Sequence, residues 1–195
     1  QGHTVIPVAA DGHVIGLISL ADTVRSEAAQ AVRDLCAEGV RRTVMISGDN
    51  RAAVQAVATT LGVDEYHGQS LPEEKLDLIR KMQAQGLAIA YVGDGVNDAP
   101  ALAVADIGIA MGVAGADLAI EAADIALMKD DITRLPYLVA LSRETLRTIR
   151  VSVAFTMGVN VLSVILGTLG IIGPAIGAVM HEVSALPVLI YSARL

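Results

Sequence analysis

Leu87-Ala88-Ile89-Ala90-Tyr91-Val92-Gly93-Asp94-Gly95-Val96-Asn97-Asp98-Ala99-Pro100-Ala101-Leu102 joins an apolar run to an acidic, glycine-flanked loop and then to a proline-started helix. The run Leu87–Val92 has the length and composition of a buried strand, and Pro100 suits the first turn of a helix. The same order recurs upstream: apolar Thr43–Ile46, then Ser47-Gly48-Asp49-Asn50, then a helix over Arg51–Leu61 that stops at Gly62. Pro72 opens another helix running to about Gln85, with Glu73 and Glu74 at its positive end. Before these, Val24, Ala28, Ala31, Val32, Leu35 and Cys36 keep helical spacing up to Gly39. Residues 4–20 alternate and turn at Asp11-Gly12, as a hairpin does. Downstream, Ile107–Ala110 and Ile125–Leu127 read as short strands with a helix over Ala116–Ala122 between them, and Asp131–Arg150 as a long helix. Strand, loop and helix in repeated succession predict an α/β fold: a parallel sheet with helices on both faces.

Charge is segregated along the 195 residues. Of 35 charged side chains, only Glu182 and Arg194 lie beyond residue 150, and the mean hydropathy of +0.57 is high for a purely water-borne domain. Val151–Ala193 is too long for one membrane span, since about 20 helical residues cross the hydrocarbon. Gly170, Gly173 and Pro174 interrupt it midway, which predicts two transmembrane helices, about 151–169 and 175–193. Arg143, Arg147 and Arg150 flank the first and Arg194 ends the second, so the positive-inside tendency puts the water-exposed part in the cytoplasm of a multi-pass cell-membrane protein. A net charge of −7 without a basic stripe argues against nucleic-acid binding. The single cysteine, Cys36, excludes a disulfide framework and is expected to be a plain core thiol. The methionines read as core or lipid-facing residues, and His3, His13 and His67 as surface histidines without ligand spacing. Gln1 opens mid-pattern, without a signal peptide, which suggests part of a longer chain.

Both acidic loops follow strands, and loops at the carboxyl ends of parallel strands share one edge, where ligands bind. Asp49, Asp94 and Asp98 are therefore expected to converge. Clustered carboxylates need a cation, and an oxygen-only set suits Mg²⁺ working beside a phosphate. Gly93 and Gly95 permit close backbone approach. Lys75 is placed to offer a point charge to a phosphate, and the Ser47 hydroxyl to hydrogen-bond a phosphoryl oxygen.

Taken together, Ser47-Gly48-Asp49-Asn50, Leu71-Pro72-Glu73-Glu74-Lys75 and Gly93 to Leu102 form a long and specific string. The chain resembles the C-terminal part of a P-type ATPase of the heavy-metal-translocating branch, whose phosphorylation domain has a haloacid-dehalogenase-like fold. The resemblance covers essentially all 195 residues. It implies an end of the nucleotide-binding domain with a return strand at 1–21, the C-terminal portion of the phosphorylation domain, with an incomplete sheet, at 22–135, a linking helix at 136–150 and two membrane helices at 151–195. By position, Asp94 matches the family's Mg²⁺ ligand. Asn97 and Asp98 match the residues completing the Mg²⁺ and phosphate site, Asp98 also as a metal contact. Lys75 matches the lysine that neutralises the aspartyl phosphate. Ser47 stands where the family usually has threonine, with Gly48 and Asp49 completing that loop. Asp22 and Arg25 match an Asp-x-x-Arg at the hinge between nucleotide and phosphorylation domains, implicated in placing ATP.

The departures carry equal weight. The family's nucleophile, the aspartate of Asp-Lys-Thr-Gly-Thr, has no counterpart in these residues, and neither the Thr-Gly-Glu nor the Cys-Pro motif occurs. The expectation is that this chain alone neither hydrolyses ATP nor transports metal, since Asp94, Asp98 and Lys75 cannot replace a nucleophile. In the family's fold the nucleophile strand lies between the strands leading to Ser47 and to Asp94. Its absence predicts a gap or a forced closure, and instability unless an N-terminal piece of the ATPase completes the sheet.

His181 and Glu182 sit inside an apolar span, where ionisable groups are costly and usually functional. In an antiparallel hairpin, Asn160 and Ser163 fall at a similar depth, near Ser184. Imidazole with carboxylate suits Zn²⁺, Co²⁺, Ni²⁺, Mn²⁺ or Cd²⁺ better than Cu⁺ as a transported ion. The tail resembles the His-Glu last helix of cobalt- or zinc-type exporters but departs from it at Val183-Ser184-Ala185, which leaves the metal open; so does the plainer role of a pair that hydrogen-bonds neighbouring helices. Two alternatives to an exporter fragment remain. One is a non-catalytic regulatory or structural membrane protein with a degenerate dehalogenase-like domain. The other is a membrane-tethered phosphatase, which calls for an Asp-x-Asp near its start that the sequence lacks.

Overall fold

The computed structural model describes residues 4–20, 24–93, 98–112 and 121–193. It divides into two compact units, Gln1–Pro136 and Tyr137–Leu195. The first unit opens with a hairpin of β1 (Thr4–Ala10) and β2 (His13–Leu20), antiparallel, with Asp11 and Gly12 both at positive φ in the turn. Val14, Ile15, Leu17 and Ile18 stay exposed.

Then follow α1 (Ala28–Ala37), β3 (Val44–Ile46), α2 (Arg51–Leu61), β4 (Glu65–His67), α3 (Pro72–Ala84), β5 (Ala90–Gly93), α4 (Ala99–Val104), β6 (Ile107–Met111) and β7 (Ile125–Leu127). All pairings after the hairpin are parallel: β3 with β4, and β5 with β6 with β7. This is the expected α/β pattern, but in two separate pieces. Among the described residues no strand lies between β3 and β5. A cleft of about 630 Å³ occupies that position, lined by Val44 and Ile46 of β3, Ile79 and Met82 of α3, and Tyr91 and Val92 of β5.

Local chemistry explains the boundaries. Asn50 caps α2, its side-chain oxygen accepting the Ala53 N–H at 2.9 Å, and Gly62 ends it at φ +73°. Pro72 sits in the first turn of α3, and Glu74 reaches back to accept the Leu71 N–H at 2.9 Å. The core gathers Ile79 of α3, Tyr91 of β5, Ala101 and Leu102 of α4 and Ala110 of β6, with Ile46, Leu76 and Ile89 packed against it. Full burial of Ile79 and Leu102 stabilises by about 1.5–3 kcal/mol each. At Gly108 a Cβ would stand 2.5 Å from the Leu102 carbonyl oxygen, so β6 and α4 touch at a distance only glycine permits. Asp106 accepts the Ile89 N–H at 2.8 Å and Gln83 Nε2 at 3.2 Å, and the Ile89 bond foremost holds its carboxyl below the usual carboxylate range.

Several expectations need correction. Cys36 is exposed, not a core thiol, because α1 buries Ala28, Ala31 and Val32 and turns Cys36 outward. That helix starts at Ala28, leaving Val24 in the preceding loop. The Leu87–Val92 strand begins only at Ala90, where pairing with Ile107 starts. Met128 is exposed, outside both core and membrane helices. His67 is half-buried in β4, a strand the periodicity missed, and its Nε2 lies 2.7 Å from Glu65 Oε1. Most of the expected helix Ala116–Ala122, His3 and Arg194 lie outside the described residues.

The second unit consists of most of α5 (Arg134–Thr168) and all of α6 (Pro174–Ser192), joined through Gly170 at φ +72°. Both are long and apolar enough to cross a membrane. At 1.5 Å per residue α5 is about 52 Å long, well over the roughly 30 Å hydrocarbon thickness, and all of its charged residues lie within Arg134–Arg150. On α5 the less exposed positions Thr148, Ser152, Thr156, Asn160 and Ser163 recur every three or four residues, one face of the helix. On α6, Gly177, Met180 and Ser184 do the same. Such small and polar seams let membrane helices approach closely.

Candidate functional site

The site begins at the carboxyl end of β5. Gly93 is buried, and a Cβ on it would lie 2.8 Å from Asp98 Cβ and 3.0 Å from Asp98 Oδ2. Glycine there is what allows Asp98 to fold back against the strand end. Asp98 precedes α4 and is largely buried, with 14% of its side chain exposed. Its Oδ1 accepts two hydrogen bonds: Lys75 Nζ from the first turn of α3 at 2.8 Å, and the Tyr91 hydroxyl from β5 at 2.9 Å. Lys75 is 16% exposed. A charge pair this enclosed, with a second donor on the same oxygen, is held in one arrangement.

The other loop closes on itself. Ser47 Oγ donates to Asp49 Oδ2 at 2.8 Å and accepts the Asp49 N–H at 3.2 Å. Neighbouring backbone ties it to the segment after β4: Ser47 N–H to the His67 carbonyl, Gln69 N–H to that of Asp49 and Ser70 N–H to that of Ser47. A Cβ on Gly48 would make only ordinary contact, 3.7 Å from the Ser70 carbonyl. The two loops belong to one body, because Ile46, immediately before Ser47, packs on the core cluster that holds Tyr91.

Arg25 donates to the Asp130 carbonyl at 2.8 Å and to its carboxylate, clasping the segment before α1 to the one after β7. Next to it, the Thr133 hydroxyl foremost lowers the Asp131 carboxyl below its ordinary range. Thus Lys75, Asp98 and Gly93 come together, Ser47, Gly48 and Asp49 form one turn, and Arg25 is engaged by Asp130. Asp22, Asp94, Gly95 and Asn97 lie outside the described residues. Among the described residues no three histidine, cysteine or acidic side chains converge on one point. In the second unit His181 Nδ1 stands 3.0 Å from Asn160 Oδ1, and Ser184 Oγ donates to the His181 carbonyl at 2.6 Å. Ser163 Oγ is buried without a hydrogen-bond partner among the described residues.

Sequence reasoning overlooked Tyr91 and Asp130. For Tyr91 a signal existed: a phenol within an otherwise apolar strand must find a partner for its hydroxyl once buried. For Asp130, 105 residues from Arg25, none did.

A family model for haloacid dehalogenase-like hydrolases matches residues 2–106, more than half of the chain. The chain belongs to the haloacid dehalogenase-like hydrolases. Within that family it is homologous to heavy-metal-exporting P-type ATPases. It is 46% identical over all 195 residues to a manganese-exporting P-type ATPase of Mycobacterium leprae (strain TN), covering 27% of that protein. It is 43% identical over 166 residues, 85% of the chain, to a cadmium-transporting ATPase of Staphylococcus aureus, covering 23% of it. Among solved structures, a zinc-transporting PIB-type ATPase in the E2.Pi state superposes with a TM-score of 0.88 at 37% identity, over 99% of this chain and 31% of that one. The chain thus spans about a quarter of the length of the curated relatives it matches. The dehalogenase-like fold and the two membrane-length helices occur together in this chain.

Proposed function

We propose that the chain works as the C-terminal portion of an ATP-driven exporter of a divalent transition-metal ion, with an aspartyl-phosphate intermediate whose aspartate lies outside this sequence. The observation that carries the proposal is the Lys75–Asp98 pair at the end of β5, 2.8 Å apart and largely buried. A fixed ammonium beside a fixed carboxylate at a parallel-sheet edge is suited to phosphoryl transfer, which depends on positioning and charge stabilisation.

The oxygen-donor character of Asp98, with Asp94 and Asn97 nearby in sequence, fits Mg²⁺ rather than a soft metal. When bound, Mg²⁺ would neutralise charge developing on the phosphoryl oxygens. Lys75 holds Asp98 and offers its remaining N–H groups toward a phosphate. Ser47 keeps its hydroxyl on Asp49 and would turn it to a phosphoryl oxygen, with Gly48 leaving the backbone accessible. Arg25, clasped to Asp130, would fix the hinge from which Asp22 helps to place ATP. The nucleophile's strand would enter the cleft between β3 and β5. In the membrane unit His181, with Asn160 and Glu182, would contact the exported ion, for which manganese, zinc, cobalt, nickel and cadmium fit imidazole and carboxylate better than copper(I) does. The lipid bilayer surrounds α5 and α6, and the water-exposed unit faces the cytoplasm.

The test is a chimera. This chain replaces the matched region of the Mycobacterium leprae relative, and ATP hydrolysis is measured in vesicles with each divalent metal. Metal-stimulated hydrolysis that disappears with Asp98→Asn supports the proposal. A well-folded chimera without metal-stimulated hydrolysis overturns it.

A further inference from the structure

Arg143, Arg147 and Arg150 follow one another at intervals of four and three residues on α5, so they share one face of the helix, and all three are exposed. The same face continues through Met157, Val161 and Val164, each more than half exposed. The seam of Thr148, Ser152, Thr156 and Asn160, from which Asn160 reaches His181 on α6, runs along the opposite side. The arginines therefore stand outside the contact between the two helices. Glu144, the only acidic residue of α5, is turned about 100° to the side of Arg143.

The three arginines also mark where the apolar run begins: Val151 follows Arg150, and no charged residue comes after it until Glu182. Arg143 to Arg150 covers about 10 Å of helix axis at 1.5 Å per residue. The polar layer on one side of a bilayer is about 5–8 Å deep. Arginine stems are long enough to bring all three heads to that layer while their methylenes lie along apolar surface.

We propose that this arginine face of α5 is a docking surface for anionic phospholipid headgroups at the edge of the bilayer. The inference rests on the proposed membrane placement of α5 and is independent of the Lys75–Asp98 site. A guanidinium offers paired N–H donors that match two oxygens of one phosphate. Three of them, offset only by Glu144, present a net positive face to the headgroup layer. Phosphatidylglycerol carries a net negative charge and satisfies that face. Phosphatidylcholine brings a quaternary ammonium with its phosphate, and the arginines repel it. Further along the same face, Met157, Val161 and Val164 give the acyl chains an apolar wall, so that the headgroup and chains of one lipid both meet matched surfaces.

The experiment reconstitutes the full chain into nanodiscs of equal phosphatidylglycerol and phosphatidylcholine, extracts it in mild detergent and counts the retained lipids by native mass spectrometry. Wild type is compared with Arg147→Gln, with the triple variant Arg143→Gln/Arg147→Gln/Arg150→Gln, and with Arg33→Gln, which removes the same charge from α1. The expected result is retention of phosphatidylglycerol over phosphatidylcholine by the wild type, a ratio lowered about fivefold by Arg147→Gln, equal retention of the two lipids by the triple variant and the wild-type ratio in Arg33→Gln. Equal retention by the wild type overturns the inference. So does a ratio that Arg33→Gln lowers as far as Arg147→Gln, since overall charge then accounts for it. The triple substitution is repeated in the chimera with the Mycobacterium leprae relative; a ratio it leaves unchanged there means that another segment of that protein covers the face, and also overturns the inference. A chain that fails to enter the nanodiscs overturns the membrane placement, and the inference with it.

Discussion

Lys75 and Asp98 stand 23 residues apart in sequence and 2.8 Å apart in space, each with less than a fifth of its side chain exposed. Removing one member of so enclosed a pair strands the other's charge, which is costlier than never having had the pair. Lys75→Met should therefore destabilise the first unit by about 3 kcal/mol, and adding Asp98→Asn should recover more than half of that. Chemical unfolding of the full chain in detergent checks this. Additive losses in the double variant would mean the two side chains are not coupled.

Two glycines should respond to alanine in a definite order. At Gly108 the new methyl meets the backbone oxygen of Leu102, inside α4, which cannot step aside. At Gly93 the approach is longer, 2.8 Å against 2.5 Å, and it is to Cβ of Asp98, which lies just before α4 rather than within its backbone. Gly108→Ala should cost more stability than Gly93→Ala, for which about 1–3 kcal/mol is expected. Gly93→Ala should instead damage the site by displacing Asp98. Equal thermal shifts for the two variants would contradict this close packing of β6 on α4.

Asp106 supplies an acid-sensitive staple. The Ile89 N–H it accepts keeps its folded-state carboxyl below the ordinary range. A depressed pKa contributes stability that is fully present above the unfolded-state value, near 3.9, and is lost as pH falls through the lower folded-state value. Asp106→Asn should then be less stable than wild type at pH 7, with the difference shrinking below about pH 3. Melting curves across that range decide it, and a difference independent of pH would remove the carboxylate from the explanation.

In the membrane unit, the Asn160–His181 contact joins α5 to α6. In the chimera, His181→Ala and Asn160→Ala should each raise the metal concentration needed for half-maximal ATP hydrolysis by about tenfold, with the ATP requirement unchanged. Vesicle assays over a range of Mn²⁺ and Zn²⁺ measure this. An unchanged metal requirement would leave the pair as a helix-packing contact.

Much of this was legible in the residues because local signals and packing agree. Pro72 and Gly62 marked helix ends by the φ values they adopt, and the structure puts the ends there. The alternating run over 4–20 with Asp11-Gly12 gave the hairpin, and the break at Gly170 to Pro174 gave the two apolar helices. The Glu65–His67 strand was hidden because three residues of mixed polarity carry no period, and only pairing with β3 makes them a strand. Cys36 misled because apolar spacing at the end of a short helix does not say where the buried face stops. At the site, Lys75 and Asp98 could be named from sequence, whereas which acceptor the Tyr91 hydroxyl finds depends on how β5 lies against α4, which no local pattern encodes.

The most direct measurement is acid-stable phosphoenzyme formed from ATP labelled in the γ-phosphate, compared between the chain alone and the chimera with the Mycobacterium leprae relative. The expected result is no label on the chain alone, label on the chimera in the presence of Mg²⁺ and transported metal, and no label on the chimera carrying Asp98→Asn. Label on the isolated chain, or on the Asp98→Asn chimera at the unmodified chimera's level, would contradict a site that stabilises a phosphoryl group carried by an aspartate beyond these 195 residues.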